Sequence, residues 1–221
     1  PADYYTLDDS FTSMPWNTST TVMFSNMEML EAAGVEAIPE TWSEVDAACE
    51  KIIAMDEGPD NCITWPNHSW FFEQSVAQQG GMLANNGNGR EGRADEVYFN
   101  SEEALAYVQW WADLNAAGYY VYTGVLRDWG GTQNAFQAQQ VAFLIFSSSD
   151  ATDIPKLTAE DFTTVVSRMP YNDEVEYAGN IIGGATLWLN NGLTEETETG
   201  ALMFLNWFSN PENAAAWHQI T

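Results

Sequence analysis

Three short stretches put hydroxyl groups or glycine backbone where a strand would end or bend. They are PWNTSTT (Pro15 to Thr21), FSSSD (Phe146 to Asp150) and NIIGGATLWLNNG (Asn180 to Gly192). Serine hydroxyls and unpaired backbone N–H groups bind anions, above all at a helix N-terminus, where the dipole adds to them. Ser147, Ser148, Ser149 and Asp150 can cap a helix directly after the apolar run Val141–Phe146. Ligands in open α/β sheets sit beyond the carboxyl ends of strands, which suits that stretch. In the third stretch Gly183 and Gly184 interrupt an apolar run. Glycine within a strand marks a bulge or a close approach to the backbone. From the residues alone two readings stand: an anion platform, or an ordinary N-cap and an ordinary bulge.

Other chemistries find less support. The two histidines are His68, within WPNHSW, and His218, near the chain end; the first can reach a ligand, and the second suits a helix surface. There is no GxSxG elbow, no HExxH helix and no GxxxxGK[ST] phosphate loop. No catalytic constellation, metal site or cofactor is expected. Cys49 and Cys62 are too few for a disulfide framework or a CxxC-type zinc site. A single bridge between a helical Cys49 and a strand-borne Cys62 is geometrically possible, but lone cysteines are most often small buried hydrophobes. Ten tryptophans are many for this length. Trp16, Trp65, Trp70 and Trp129 fall in loop-like stretches and could stack on sugar C–H faces or choline-like cations. Trp110, Trp111, Trp188 and Trp207 read as core.

The elements that position these residues alternate between strand-like runs and amphipathic helices. TTVMFSN, NCITW, VAFLIF, TTVVSRMP and IIGGATLWL read as strands. Helices are predicted around MEMLEAAG, ETWSEVDAACEKIIAM (with Thr41 or Ser43 as cap and Glu44 completing a capping box), SWFFEQSVAQQGG, SEEALAYVQWWADLNAAG and GTQNAFQAQQ. Two more follow, TEETETGALMFLNWFS and NPENAAAWHQ. Helical spacing points Leu105, Val108, Trp111 and Ala112 inward on one helix, and Ala201, Leu202, Leu205 and Phe208 on another. LANNGNGREGR reads as an exposed loop. The pattern predicts an α/β domain with helices covering a mainly parallel sheet.

At 221 residues with 45% hydrophobic content, the chain can build a real core. Six Lys and Arg against 32 Asp and Glu give a net charge of −26, which argues against nucleic acid or an anionic membrane surface as partner. The acids are dispersed along the chain, which suits solvation, as in a salty medium. No apolar run approaches the roughly 20 residues needed to span a bilayer, and no basic-then-apolar leader is present. The chain starts at Pro1 and stops within an apparent helix, so the missing leader carries little weight.

GNIIGGATLW, followed by PENAAAWHQ, resembles the periplasmic glycerol-3-phosphate-binding proteins of ABC importers, a branch of the solute-binding proteins that includes the maltose receptors. MPWNTSTTVMFSN and AAGVEAIPETWSEV match the crossover strand and following helix of the same family, with the Asn-Gly loop and AFLIFSSS in order between them. The resemblance extends over essentially the whole chain. It implies an α/β two-lobed clamshell that closes on a ligand and delivers it to a membrane permease. This chain would be a fragment covering mostly the C-terminal lobe. The implied divisions are 1–26 for crossover strands, 27–146 for the lobe, 147–191 for hinge-proximal strands and 192–221 for terminal helices. The ligand implied is glycerol 3-phosphate or a glycerophosphodiester such as glycerophosphocholine, with a neutral oligosaccharide as the alternative; a secreted carbohydrate-active enzyme is the third reading, against which the lack of a histidine or nucleophile constellation counts. An exported monomer, periplasmic or extracellular, without catalytic activity is expected. The family's phosphate contacts fall on Ser19, Ser147 and Gly184, with Gly183 supplying the bend; its ligand-wall tryptophans fall on Trp70 and Trp65. Its remaining contacts lie before Pro1 and beyond Thr221.

Overall fold

The computed structural model describes residues 5–7 and 10–220, and the chain divides into two units, at Ser19/Thr20 and at Ile181/Ile182. The first unit begins with β1 (Thr6–Leu7), β2 (Ser10–Phe11) and β3 (Met14–Ser19). The second unit holds β4 (Thr21–Asn26), α1 (Met27–Ala32), α2 (Trp42–Ile53), β5 (Ile63–Thr64) and α3 (Ser69–Gln78). It continues with α4 (Asn85–Gly89), α5 (Glu102–Ala116), α6 (Trp129–Gln137), β6 (Phe143–Ser147), α7 (Asp153–Thr158) and β7 (Thr164–Arg168). The first unit then resumes with β8 (Gly183–Leu187), α8 (Glu195–Phe208) and α9 (Pro211–Ile220). The expected boundary after residue 26 separates β4 from α1 inside the second unit. Helices α8 and α9 belong with the N-terminal strands of the first unit rather than with the larger lobe.

In the second unit the sheet order is β5-β6-β4-β7. Strands β5 and β6 are parallel, whereas β4 pairs antiparallel with both β6 and β7. The sheet is therefore mixed and mostly antiparallel, against the expectation from helix–strand alternation. Strand β4 enters the unit between β6 and β7, running opposite to both. Central strands β4 and β6 are apolar on both faces. Met23, Phe143 and Ile145 join a core under α2, α3 and α5. Phe24, Leu144 and Phe146 join a second core with Phe136 of α6 and Ile154 of α7. Their continuous apolar runs are what burial on both faces of a sheet requires.

Local signals act as read. Thr41 caps α2 in a full capping box with Glu44, and Ser101 caps α5 by accepting from the Ala104 N–H. The Asn-Gly loop contains one left-handed turn, with φ of 53°, 60° and 57° at Asn86, Gly87 and Asn88. Helix α5 departs from its predicted face: Ala104, Tyr107, Trp110 and Leu114 are buried, while Leu105 and Val108 are 57% and 47% exposed. Tyr107 and Trp110 turn the helix because they pack against Trp42, with Trp110 stacked on it at 4.9 Å. The cysteines also depart from the favoured reading. Cys49 of α2 and Cys62 at the entry to β5 form a disulfide, with a Cα–Cα distance of 5.4 Å.

In the first unit β3 and β8 form an antiparallel pair with a register shift between Pro15 and Asn17. Trp16 of β3 stacks on Phe208 of α8 at 4.2 Å and lies 4.9 Å from Trp217 of α9. Of the predicted inward residues of α8, Phe208 is buried and Leu202 is 44% exposed. Trp188 and Trp207, read as core, are exposed. Trp188 follows a two-stranded ladder, which leaves a face open.

Candidate functional site

The parallel strands β5 and β6 end at the same edge of the second unit's sheet, and this edge gathers the polar and aromatic groups of interest. Ser147 is the last residue of β6 and pairs with Thr21 at the start of β4. Beyond it lies a single 3-10 turn, Ser148–Asp150, instead of the expected helix. Two of its N–H groups are already taken, Ser148 N–H by the Thr20 carbonyl at 2.8 Å and Ser149 N–H by Ser147 Oγ at 3.2 Å. The turn is therefore no dipole-driven anion site. What it offers is hydroxyls: Ser149 Oγ lies 2.9 Å from Ser147 Oγ and 2.8 Å from an Asp150 carboxylate oxygen, and Ser148 Oγ accepts the Thr20 N–H at 3.0 Å. Ser147 is 8% exposed, so its hydroxyl is held nearly dry and pre-oriented.

After β5 the chain runs through Pro66 and Asn67 to His68, which caps α3. His68 Nδ1 accepts the Trp70 N–H at 3.0 Å, so this nitrogen carries no proton. Burial holds the imidazole pKa below its ordinary value, and the Arg127 guanidinium adds to this, against an opposing pull from Glu73. Arg127 is exposed, at φ 57°, and its N–H donates to the Asn67 carbonyl. It thus brings a positive charge beside His68. Trp129, the first residue of α6, ties the edge together. Its ring lies 4.8 Å from Phe146, 5.7 Å from His68, 5.6 Å from Phe71 and 6.4 Å from Trp70.

Trp70 is half-buried in this aromatic group and presents part of its surface to solvent. Trp65 does not: it is 1% exposed, stacked on Trp110 at 5.9 Å and packed against Tyr120 at 4.4 Å and Trp111 at 5.6 Å. It is a core residue, which corrects its assignment to the ligand wall. A tryptophan buried among three aromatic rings has no face left for a ligand. Trp129, one of the loop tryptophans read as able to stack on a ligand, lies at this edge, and Arg127 beside it is a residue that sequence reasoning did not single out. Their signal was the DW step that starts α6, with Asp128 as its cap.

Ser19 and Gly184 belong to the first unit, where the structure brings them together as diagonal neighbours on the β3–β8 ladder (Ser19↔Gly183, Thr18↔Gly184). Ser19 is partly exposed and Gly184 is exposed. Gly184 also takes the unusual backbone angle, φ 140°, where Gly183 was expected to supply the bend. A Cβ at Gly184 would overlap the Asn17 carbonyl oxygen, so glycine is required there by the close approach of β3. That requirement holds with or without a ligand. Among the described residues no group of His, Cys, Asp and Glu is placed to hold a metal ion.

The model of one family, bacterial extracellular solute-binding protein, matches residues 2–221. The chain belongs to this family. It is 32% identical over 229 aligned residues to the sn-glycerol-3-phosphate-binding periplasmic protein UgpB of Yersinia pseudotuberculosis, covering 100% of this chain and 50% of that protein. With UgpB of Escherichia coli K12 it shares 31% identity over 95% of this chain and 47% of the relative. Among solved structures, UgpB from Mycobacterium tuberculosis in complex with glycerophosphocholine superposes with a TM-score of 0.78 at 20% identity, over 100% of this chain and 53% of that one. The GacH receptor of Streptomyces glaucescens, solved unliganded and with acarbose, gives 0.77 at 20% identity, over 96% and 52%. The solute-binding fold is thereby established for this chain, which spans about half the length of the curated relatives it matches.

Proposed function

We propose that this chain is part of the substrate-binding component of an ABC importer. It would take glycerol 3-phosphate or a glycerophosphodiester and pass it to a membrane permease. The observation that carries this reading is similarity along the whole chain to glycerol-3-phosphate-binding proteins, joined to the nearly dry Ser147 hydroxyl and a half-exposed tryptophan at one sheet edge. Ser147 and Trp70 are the ligand groups of the second unit, and Ser19 and Gly184 those of the first. Ser147 donates to a phosphate oxygen, and Trp70 covers the glycerol or head-group carbons.

A net charge of −26 does not forbid an anionic ligand. Hydrogen bonds to phosphate act at about 3 Å, whereas dispersed surface acids are screened beyond roughly 8–10 Å. Asp150 is the near charge that matters, and its carboxylate is engaged by the Ser149 hydroxyl. The same acidity disfavours nucleic acid as partner. The relatives it matches are solute-binding proteins, and on this reading the protein binds and releases its solute unchanged. It acts as a monomer on the outer side of the cytoplasmic membrane, a location that suits its disulfide.

A second reading, oligosaccharide binding, is favoured by the aromatic group and by the sugar-binding structural neighbours. Calorimetric titration of the full-length gene product with glycerol 3-phosphate, glycerophosphocholine and maltose separates the two. Saturable binding of a phosphate ligand, with no response to maltose, is expected. Tight maltose binding without a phosphate response overturns the proposal.

A further inference from the structure

Two segments carry the chain across the unit boundary, Ser19–Thr20 and Ile181–Ile182. Both are held on the second unit's side by one partly buried polar network, and its centre is the buried Gln74 of α3. The Gln74 amide closes a two-way bridge on Ile181: Nε2 donates to the Ile181 carbonyl at 2.8 Å, and Oε1 accepts the Ile181 N–H at 3.0 Å. That is the bond pattern of a β-bridge, made by a side chain. Gln74 is 0% exposed. The same Ile181 carbonyl accepts the Thr20 hydroxyl at 3.0 Å, which ties the two crossings directly to each other.

Neighbouring bonds extend the network. Asn180 Nδ2 donates to the Thr21 hydroxyl at 2.9 Å, and Asn180 Oδ1 accepts from Gln78 of α3 at 3.1 Å and from the Tyr177 hydroxyl at 2.7 Å. Gln74 and Gln78 stand one and two turns beyond Trp70 on α3. Two fully buried glutamines on one helix are costly unless their amides are satisfied. Here the whole Gln74 amide is spent on the backbone of a segment that has no strand partner of its own, while Gln78 donates from Nε2 to the Met169 carbonyl and to Asn180 Oδ1.

We propose that Gln74 is a positioning residue of the binding site. Its bridge to Ile181 makes α3, which carries Trp70, and the two chain crossings a single mechanical element. Contact of a solute with Trp70 is then felt at Thr20 and Ile181, where the chain leaves the unit. The inference rests on the function proposed above for the role of Trp70; the bridge itself stands on the geometry.

Amide hydrogen exchange in the full-length gene product tests it, with glycerol 3-phosphate as probe. In the unmodified protein the probe is expected to slow exchange at 178–183 as well as at 147–149. In Gln74→Met, which keeps the shape and removes both bonds, unliganded exchange at 178–183 rises roughly tenfold. Protection by the probe is then lost there and retained at 147–149. Gln74→Glu keeps the acceptor for the Ile181 N–H and gives an intermediate rate; it serves as the test protein if Gln74→Met does not fold. Probe protection at 178–183 that survives undiminished in the variant overturns the coupling. If the unmodified protein shows no protection anywhere, the proposed function fails instead. The bridge is then judged on unliganded exchange, where a variant rate within about twofold of the original overturns it.

Discussion

Ser147 combines two properties that rarely coincide in a surface serine. It is almost fully buried, and its oxygen is fixed by a local partner, the Ser149 N–H. A hydroxyl in that state has little rotational freedom to lose when a phosphate oxygen arrives. Ser147→Ala in the full-length product is expected to weaken glycerol 3-phosphate binding by about 1–3 kcal/mol, the worth of a charge-assisted bond. Calorimetry reads the loss, and an unchanged affinity removes Ser147 from the site. Because the same substitution strips the Ser149 N–H of its acceptor, a fall in melting temperature without a fall in affinity points to a capping role alone. Gly184 is a harder residue to interrogate. Any side chain there meets the Asn17 backbone, so loss of binding on substitution reports distortion of the β3–β8 ladder before it reports a lost N–H donor. Trp65 shows the limit of residue type as evidence. Its place beside a PNHS loop suggested a ligand wall, while its burial depends on rings at 110, 111 and 120 that no local pattern connects to it.

Among the elements, those governed by local signals were legible in the sequence and those governed by choice of partner were not. The Thr41 capping box and the Ser101 cap each rest on neighbouring residues and appear as read, and the apolar run Val141–Phe146 gives a strand shifted to Phe143–Ser147. Helix α5 is apolar around most of its circumference, so Leu105 and Val108 compete at the same spacing with Tyr107 and Trp110. Only the fit of Tyr107 and Trp110 against Trp42 decides between them. Strand direction is likewise invisible locally, which is why the β4 pairings were not anticipated. The Cys49–Cys62 bridge belongs to this class, since it depends on α2 docking against the entry to β5. Closing a loop between residues 13 apart stabilises the fold by about 3 kcal/mol in the chain-entropy account. Replacing both cysteines by serine should lower the melting temperature by roughly 6–12 °C, at about 2–4 °C per kcal/mol for a chain of this size. Scanning calorimetry with and without reductant checks this. If the variant melts with the oxidised parent, the bridge contributes nothing measurable.

At the scale of the molecule the two units differ in how well each can stand by itself. Among the described residues every buried hydrophobic side chain except Phe208 lies in the second unit. The first unit has the aromatic group of Trp16, Phe208 and Trp217 but leaves Trp188, Met203 and Trp207 at 67%, 68% and 59% exposure. A group of that size left open to water forgoes burial worth about 25 cal/mol per Å². The second unit, with two cores around a mixed sheet and a disulfide, has the means to fold. Ser147 and Trp70 lie in it, whereas Ser19 and Gly184 lie in the first. The relatives are about twice as long. This chain on its own is therefore expected to bind glycerol 3-phosphate far more weakly than the full-length product, because it spans only about half the length of the relatives it matches. Parallel titrations of the two at equal ionic strength make the comparison, with scattering or circular dichroism to verify that the chain is folded. The same exposed side chains should make the chain alone bind a hydrophobic reporter dye that the longer product leaves free. Equal affinity in the two proteins would mean that this chain, with Ser19, Gly184, Ser147 and Trp70 all present in it, carries the whole site.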